Sequence, residues 1–508
     1  MKTIYVDGNT LTLEDLMDVA RHGAIVKIHE CAIEKIQASR AFVEQLVKEE
    51  RVVYGITTGF GRFSHVVIKN EQVEKLQDSL IRSHACGVGR HFDIEVVRGI
   101  MLLRLNALVK GYSGVRLEML MTLVNMINKH VHPAIPEKGS LGSSGDLAPL
   151  SHMVLVMLGE GECYYDGKLM SGYEAMKRAN IASIKLTSKE GLALINGTQV
   201  LTAVGAITTY DAIALMKTAD ISAALTFEAL RGIIDALDEK VHLIRNHTGQ
   251  IICASNLARL VEGSGLTTVQ GEVKVQDPYS LRCLPQIHGA SKDAINYVLD
   301  KVNREINAAT DNPLIFPDEQ QVISGGNFHG QPMALAFDFL AIALAELANS
   351  SERRIERLVN PNLSELPAFL TKEGGINSGF MIMQYTAAAL VSENKILAHP
   401  ASVDSIPSSG NQEDHVSMGT IAARKAHEIL CNVRNVIAIE LMTAAQAVDF
   451  TDPEKLGIGT KVAYDMVRKQ IETLEEDRVM YPDIEKSVRL IENESLLKAV
   501  EDRIGALD

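Results

Sequence analysis

The sequence predicts a mostly α-helical protein built as a bundle of long helices, and three observations support this fold class. Apolar residues recur every three or four positions through most of the 508-residue chain, which is the period of an amphipathic helix. Segments with the alternation of a β-strand are few and short. Glycine- and proline-rich breaks separate the helical segments, so we expect loops at the ends of the bundle to carry the chemistry.

The elements can be assigned in chain order. Residues 1–8 alternate and end in Asp-Gly, which predicts a short strand followed by a turn. Residues 12–23 predict a helix that begins with a capping box from Thr12 to Asp15 and stops at Gly23. Helical periodicity then continues in longer segments, which include 71–82, 94–110, 116–129, 205–235, 289–307, 331–358, 380–396, 417–447 and 461–474. The breaks between them fall at 55–61, 133–149, 262–288, 323–332, 359–376 and 400–411.

Composition narrows the possible function classes. The formal net charge is −14, which argues against nucleic acid or an anionic membrane as the main partner. The six cysteines form no C-x-x-C pair, and no long apolar run follows the N-terminal lysine, so we expect a reduced, cytoplasmic protein. The apolar stretch 333–348 carries Asp338 and Glu346, which favours a buried helix over a membrane span.

The segment GSLGSSGDLAPLSHM, residues 139–153, departs from the helical pattern. One interpretation is a glycine-rich turn in which Ser143 and Ser144 cap the next helix. The other is an electrophile made from the chain itself: the nitrogen of Gly145 attacks the carbonyl carbon of Ser143, and loss of water closes a five-membered ring. Loss of the Ser144 hydroxyl as a second water then leaves an exocyclic alkene. Glycine suits the attacking position because it lacks a side chain and tolerates unusual dihedral angles.

The sequence carries no strong metal-binding signature. His130 and His132 form an H-x-H pair, but no third ligand lies nearby in the sequence, which favours an ordinary turn. The H-E-x-x-H motif of zinc enzymes is also missing from the sequence. We therefore expect no metal.

Further blocks accompany the segment GSLGSSGDLAPLSH along the chain. They are YGITTGFG (54–61), LQDSLIRSHACGVG (76–89), EGLALINGTQ (190–199), VQDPYSLRCLPQIHG (275–289), SGGNFHGQP (324–332), SERRIERLVNP (351–361) and HPASVDSIPSSGNQEDHVSMG (399–419). In this order they resemble the aromatic amino acid ammonia-lyases, and most closely the histidine-specific members. The family pattern is G-S-x-G-A-S-G-D-L-A-P-L-S-H, so the chain departs from it at Ser143, where the family usually has alanine.

The resemblance implies that Ser143, Ser144 and Gly145 form a 4-methylidene-imidazol-5-one (MIO) ring, so that no external cofactor is needed. An electrophile that captures the substrate amine turns it into a better leaving group. Asp146 is implied to assist ring formation. From the residues alone, Asp146 could equally be a carboxylate that stabilises a helix N-terminus.

The resemblance also assigns roles around the ring. Tyr54 is implied as the base that removes the β-proton, which requires its pKa to be lowered from about 10. Arg282 is implied to bind the substrate carboxylate, for which its planar fork is suited. The other implied pocket residues are Asn196 and Phe328 beside the ring, and the polar residues Gln276 and Tyr279. Without the resemblance, Tyr54 could be an aromatic plug, Arg282 an ion-pair partner and Asn196 a helix cap.

Substrate choice is implied at His84 and Glu413, which match positions that face the substrate side chain. An imidazole and a carboxylate suit the two ring nitrogens of histidine, whereas a phenyl ring would leave Glu413 unpaired. We therefore expect deamination of L-histidine to trans-urocanate and ammonia, the first step of histidine degradation. The alternatives are an ammonia-lyase or 2,3-aminomutase that acts on tyrosine or phenylalanine, and a non-catalytic homologue.

The resemblance further implies a fumarase/aspartase-like bundle of long helices with a smaller N-terminal α+β domain. We expect the N-terminal domain over residues 1–110, with Tyr54 and His84, and the helical bundle over residues 111–508. Family members are homotetramers whose active sites draw residues from more than one subunit. We expect the same assembly here.

Overall fold

The structure, a computed structural model, describes residues 2–59, 61–63, 65–68 and 72–508. Helix accounts for 59% and strand for 8%, which confirms the predicted mostly α-helical class. The α-helices are α1 (Leu13–Ala20), α2 (Glu30–Lys48), α3 (Val73–His84), α4 (Ile94–Val109), α5 (Leu117–Asn128), α6 (Leu147–Met157), α7 (Gly172–Arg178), α8 (Glu190–Ile195), α9 (Gln199–Ala229), α10 (Glu239–Leu243), α11 (Thr248–Leu260), α12 (Tyr279–Arg282), α13 (Leu284–Glu305), α14 (Gln331–Val359), α15 (Pro361–Ser364), α16 (Met381–Leu397), α17 (Gly419–Val448), α18 (Ile458–Gln470), α19 (Tyr481–Glu492) and α20 (Ser495–Ile504). The strands are β1 (Thr3–Val6), β2 (Ile25–Ile28), β3 (Val88–His91), β4 (His132–Pro133), β5 (Pro136–Lys138), β6 (Glu162–Tyr165), β7 (Lys168–Ser171), β8 (Leu314–Phe316) and β9 (Gln321–Ile323).

The start of the chain follows its sequence pattern. Strand β1 pairs in parallel with β2, and α1 connects the two strands. Thr12 caps α1, because its side chain accepts a hydrogen bond of 3.1 Å from the backbone N–H of Asp15. Gly23 follows the helix in the left-handed region, with φ at 68°. The predicted strand, cap and glycine stop are confirmed, while Met1 and Glu71, which the predicted segments include, lie outside the described residues.

The apolar pattern predicts a helix over 205–235, but the structure has α9 at Gln199–Ala229, six residues earlier at both ends. The start is set from outside the helix, since the carboxylate of Asp146 accepts hydrogen bonds of 2.9 Å from the N–H groups of Val200 and Leu201. At the other end the N–H of Gly232 donates to the carbonyl of Phe227 at 2.8 Å, and the chain turns back. Tertiary contacts and a glycine turn therefore decide both ends of α9.

The described chain divides into two compact units. The first comprises residues 1–207, 299–338 and 400–424, and the second comprises the remaining ranges, 208–298, 339–399 and 425–508. Among the described residues, all nine strands lie in the first unit, so its architecture is α+β and that of the second is helical. The predicted domain boundary near residue 110 stays a prediction, because the extent of these two units does not test it. Helix α4, which ends at Val109, packs against both α1 and α5.

Each unit has its own core. In the first unit α4 is buried on all sides from Val96 to Val109. In the second unit the side chains of Arg354 and Glu440 are fully buried and form a bidentate ion pair with contacts of 2.5 and 2.9 Å. Burial of two charges is tolerated there because each is hydrogen-bonded to the other.

Among the described residues, two helices, α9 and α14, are long and apolar enough by length and composition to cross a membrane. The most apolar stretch of α9 is 78% buried inside the protein, and that of α14 is 67% buried. Helix α14 contains the stretch 333–348, which the sequence predicted to be a buried helix. Burial of this extent is typical of core helices of a globular protein.

Two buried helical glycines of the first unit provide a matched test of packing. A β-carbon at Gly205 in α9 would overlap the ring of Phe337, whereas one at Gly99 in α4 would lie 3.4 Å from the nearest atom, on Ala203. We expect Gly205→Ala to lower the free energy of unfolding by about 1–3 kcal/mol. Gly99→Ala should instead raise it by up to about 1 kcal/mol, because alanine favours the helix. Denaturation of both variants checks the pair, and a stabilised Gly205→Ala would contradict the packing described.

Candidate active site

A cavity of about 770 Å³ opens in the first unit. It brings together five of the residues that the sequence singled out, from five separate segments: Tyr54, His84, Ser144, Asn196 and Glu413. The other described residues that line it are Gly59, Gly61, Arg62, Val66, Ile68, Leu76, Ser79, Leu80, Ser83, Leu147, Leu192, Ser409 and Gly410. The cavity therefore has an apolar wall and a small set of polar groups, as is usual for a small-molecule site.

The segment before α6 is held by a close backbone contact. Gly145 pairs with Gly197 as a parallel bridge, and the N–H of Asp146 donates to the carbonyl of Gly197 at 2.8 Å. A β-carbon at Gly145 would overlap that same carbonyl group, and the φ of Gly145 is 74°. Glycine is required at this position for both reasons.

Asp146 ties the 143–145 segment to neighbouring parts of the chain through its side-chain hydrogen bonds. Its buried carboxylate accepts hydrogen bonds from the side chains of Thr420 at 2.5 Å and Ser140 at 2.9 Å, in addition to the two N–H groups of α9. Burial raises the pKa of Asp146, and these hydrogen bonds oppose the rise. The side chain makes no capping bond to its own helix, α6, so it stabilises the N-terminus of α9 instead.

Ser144 faces the cavity. Its hydroxyl donates to Oε1 of Glu413 at 3.2 Å, across 269 positions of the chain. The interpretation of Ser143 and Ser144 as helix caps is therefore wrong, because Asp146 occupies the N-cap position of α6. Ser143 is half-buried beside Ser144 and contributes the carbonyl that precedes it.

Tyr54 lies on the same cavity, and its phenol oxygen accepts a hydrogen bond of 3.4 Å from the N–H of Gly61. Burial raises the pKa of Tyr54 above its usual value near 10, and the charge of Glu413 adds to the rise. The bond from Gly61 opposes it. The described residues thus work against the lowered pKa that the role of a base requires.

His84 lies at the end of α3, and Nδ1 is 3.0 Å from the hydroxyl of Ser83. Burial lowers the pKa of His84 below its usual value of 6.5, while the carboxylate of Glu413 opposes the change. The imidazole is therefore neutral at pH 7 and can both donate and accept a hydrogen bond.

Arg104 holds the backbone that carries Asn196, and the sequence analysis did not identify this residue. Its contacts with Ala193, Asn196 and Gln199 form the floor of the site. Its buried guanidinium donates to the carbonyl of Asn196 at 3.1 Å, to the carbonyl of Ala193 at 2.5 Å and to Oε1 of Gln199 at 2.5 Å. Burial lowers the pKa of Arg104 to about 10, so it stays charged at neutral pH. An arginine within the apolar run MLLRLNALV was the signal that could have revealed this role.

Asn196 offers an unused acceptor. Its side-chain Oδ1 is buried and has no hydrogen-bond partner among the described residues, although the residue lines the cavity. Buried polar atoms are almost always paired, so an unpaired one at a cavity marks a position where a ligand donor can bind.

Other predicted residues are not brought to this cavity. Phe328 is half-buried in the first unit, but it is absent from the described residues that line the cavity. Gln276, Tyr279 and Arg282 belong to the second unit, where Gln276 is exposed and the Tyr279 side chain is 69% exposed. The Arg282 guanidinium lies 4.7 Å from the centre of the Tyr279 ring and donates to the carbonyl of Asp277 at 2.9 Å.

In the part of the chain that the structure describes, a histidine pair and one three-residue cluster have metal-binding residue types, and each has a cation of the protein beside it. The Arg98 guanidinium approaches His130 at 3.3 Å and His132 at 3.2 Å, and burial lowers the pKa of His132 to about 3. Asp220, Cys253 and His288 place ligand atoms within 4.8 Å of one another in the second unit. There the ammonium of Lys292 contacts Asp220 at 3.1 Å and supplies the positive charge.

Comparison with known proteins identifies the family of the chain. The sequence profile of aromatic amino acid lyases matches residues 11–469. The chain belongs to the aromatic amino acid lyase family. A histidine ammonia-lyase of Alkaliphilus oremlandii is 66% identical over 504 residues, which cover 99% of each chain. A histidine ammonia-lyase of Clostridium tetani is 59% identical over 508 residues, again 99% of each chain.

Solved structures of this lyase family share the fold. Histidine ammonia-lyase from Trypanosoma cruzi superimposes with a TM-score of 0.92 at 44% identity, covering 99% of this chain and 95% of that one. Tyrosine aminomutase from Streptomyces globisporus gives 0.95 at 39% identity and 99% of each chain. The predicted bundle of long helices is confirmed, but the fold alone does not choose between a lyase and an aminomutase.

Asn196 and Gln199 provide a paired test of the floor of the site. We expect Asn196→Ala to change the free energy of unfolding by less than about 1 kcal/mol, because Oδ1 has no partner to lose. Gln199→Ala should lower it by about 2–3 kcal/mol, because the buried Arg104 guanidinium loses an acceptor. Chemical denaturation of the two variants measures the difference. Equal losses would mean that Oδ1 of Asn196 is hydrogen-bonded in solution.

Proposed function

We propose that the chain deaminates L-histidine to trans-urocanate and ammonia. The observation that carries this proposal is the cavity in which Glu413 and His84, two partners suited to an imidazole, lie with Ser144 and Tyr54. A carboxylate accepts the imidazole N–H, and a neutral histidine donates to or accepts from the other ring nitrogen. The relatives named histidine ammonia-lyase support the same substrate.

The residues of the 143–145 segment fit an MIO ring. Gly145 carries no side chain to block approach of its nitrogen, its conformation is fixed by Gly197, and the Ser144 hydroxyl that must leave points into the cavity. Ser143 contributes its carbonyl, which serine and alanine share. The ring would supply an electrophilic alkene that captures the substrate amine and makes it a better leaving group. Asp146, anchored to α9, holds the segment bent.

The remaining cavity residues divide the other tasks. Tyr54 is the candidate base for the β-proton, because its phenol faces the same cavity as Ser144. Burial raises its pKa in the single chain, so this role requires that the assembled site lower that pKa. Asn196 offers the unpaired Oδ1 as an acceptor for the substrate amine. The apolar residues Leu76, Leu80 and Leu192 line the cavity around the reacting groups, and apolar surroundings strengthen each polar contact.

A second copy of the chain completes the site in this proposal. The substrate carboxylate needs a cation, and Arg282 is the candidate. Gln276 and Tyr279 lie near Arg282 in the sequence and are the candidate polar residues of the same pocket. Phe328 is the candidate aromatic residue beside the ring. The strong exposure of Tyr279 supports a role toward another chain, since large exposed aromatic residues are enriched at interfaces. We propose a homotetramer with shared active sites, located in the cytoplasm.

The rival assignment is a lyase or aminomutase that acts on tyrosine or phenylalanine. A tyrosine aminomutase shares the fold, so the fold does not decide between the two assignments. Glu413 favours histidine, because a carboxylate beside a phenyl ring would lose its solvation without gaining a partner. The phenol of a tyrosine substrate could donate a hydrogen bond to His84, just as a histidine substrate could bind it. His84 therefore does not discriminate between histidine and tyrosine.

Substitution of the two serines tests the ring. Ser144→Ala should abolish urocanate formation while leaving the fold intact, because it removes only the hydroxyl that becomes the alkene. Ser143→Ala should remain active, because its carbonyl is unchanged. In the wild-type protein the peptide 139–153 should weigh less than its sequence predicts by two waters, as measured by mass spectrometry. Urocanate production by Ser144→Ala at the wild-type rate would exclude the ring mechanism.

Substitution of Glu413 tests the substrate. Glu413→Gln should lower kcat/KM for histidine at least about tenfold, because a charge-assisted hydrogen bond contributes roughly 1.5–3 kcal/mol. Activity on phenylalanine or tyrosine should fall less. The measured quantity is the ratio of kcat/KM for histidine to that for phenylalanine in both proteins. A wild-type ratio near one would transfer the assignment to the rival, and an unmoved ratio would remove Glu413 from selectivity.

A further inference from the structure

The carboxylate of Glu413 is held by a second serine that lies away from the cavity. The Ser408 hydroxyl donates to Oε2 of Glu413 at 3.2 Å, while the Ser144 hydroxyl takes the other oxygen, Oε1. Ser408 is half-buried, and it is absent from the described residues that line the cavity, although its neighbours Ser409 and Gly410 do line it. Its hydroxyl is therefore connected to the cavity through its bond to Glu413.

The backbone fixes this geometry. Ser408 and Glu413 form an antiparallel bridge, in which the N–H of Ser408 donates to the carbonyl of Glu413 at 2.9 Å and the reverse bond is 3.3 Å. The chain between them closes as a short turn with Gly410 at a φ of 62°. The two side chains thus start from paired positions, and the hydroxyl meets the carboxylate with little freedom to lose.

Ring formation would change the hydrogen bonding of the two carboxylate oxygens of Glu413 differently. The Ser144 hydroxyl leaves as water when the ring forms, so Oε1 loses that donor, whereas Oε2 keeps the bond from Ser408. A carboxylate with one oxygen bound and the other open presents one acceptor in a defined direction. That direction points into the cavity, where Oε1 already meets Ser144.

We propose that Ser408 is a positioning residue for substrate selectivity: it binds Oε2 of Glu413 and thereby turns Oε1 toward the imidazole N–H of the substrate. The inference rests on the proposed deamination of histidine and deepens it. Ser408 does not contact substrate and takes no part in ring formation. Its contribution to catalysis passes through Glu413 alone.

The test compares Ser408→Thr with Ser408→Val, which have nearly the same shape and differ in the hydroxyl. Ser408→Val should lower the ratio of kcat/KM for histidine to that for phenylalanine by about tenfold, and Ser408→Thr should keep it near the wild-type value. Ser408→Ala is a second variant without the hydroxyl, and it should match Ser408→Val. All three should retain the two-water mass deficit of the peptide 139–153.

A double-mutant cycle separates positioning from general structural support. In a Glu413→Ala background, Ser408→Val should have almost no further effect on the ratio, because the group it positions is gone. Ser405→Ala is the matched control in the same loop, since its hydroxyl accepts from the N–H of Val416 at 3.0 Å and not from the cavity side. It should leave the ratio unchanged.

Two results would overturn the inference: equal ratios for Ser408→Thr and Ser408→Val, or a loss that persists in full without the Glu413 carboxylate. Both leave the proposed function standing, because the wild-type protein would still prefer histidine. A wild-type protein without that preference would instead remove the proposed function, and the role of Ser408 with it.

Discussion

The backbone contact between Gly145 and Gly197 is the constraint on which the rest of the site depends. Each glycine is required, since a β-carbon on Gly145 would overlap the Gly197 carbonyl, and one on Gly197 would overlap the Arg104 guanidinium. The contact ties the serine-bearing segment to the turn before α9. Asp146 strengthens it by accepting from two N–H groups of that helix. A segment bent by packing on both sides cannot relax into the helix that follows it.

Buried charge is placed around this contact so that each group has a partner. The Asp146 carboxylate lies at the positive end of α9, and the Arg104 guanidinium lies beneath the carbonyls of Ala193 and Asn196, at the negative end of α8. Lys189 and Asp311 add a buried ion pair of 2.7 Å in the same unit. Desolvation of so many charges is offset only while the hydrogen bonds hold, which makes the floor of the site rigid.

The sequence was informative about some parts of the site and silent about others. The blocks shared with the family identified Tyr54, His84, Ser144 and Glu413, and the structure places these around one cavity. The sequence could not indicate Ser408, because a serine in a serine-rich loop has no local pattern that marks it as a partner of Glu413. It also gave no sign that burial raises the pKa of Tyr54, since that shift depends on how deeply the whole fold encloses the phenol.

By itself the sequence determined the features that depend on neighbouring residues: the helical period, the Thr12 cap, the glycine stop, and the backbone chemistry open to Ser143-Ser144-Gly145. Only the tertiary structure decided that α9 begins at Gln199 and that Ser144 meets Glu413 across 269 positions. The physical reason is range. Local patterns reflect energies within a few residues, whereas these contacts arise from the packing of distant segments, in which burial and hydrogen bonding are decided together.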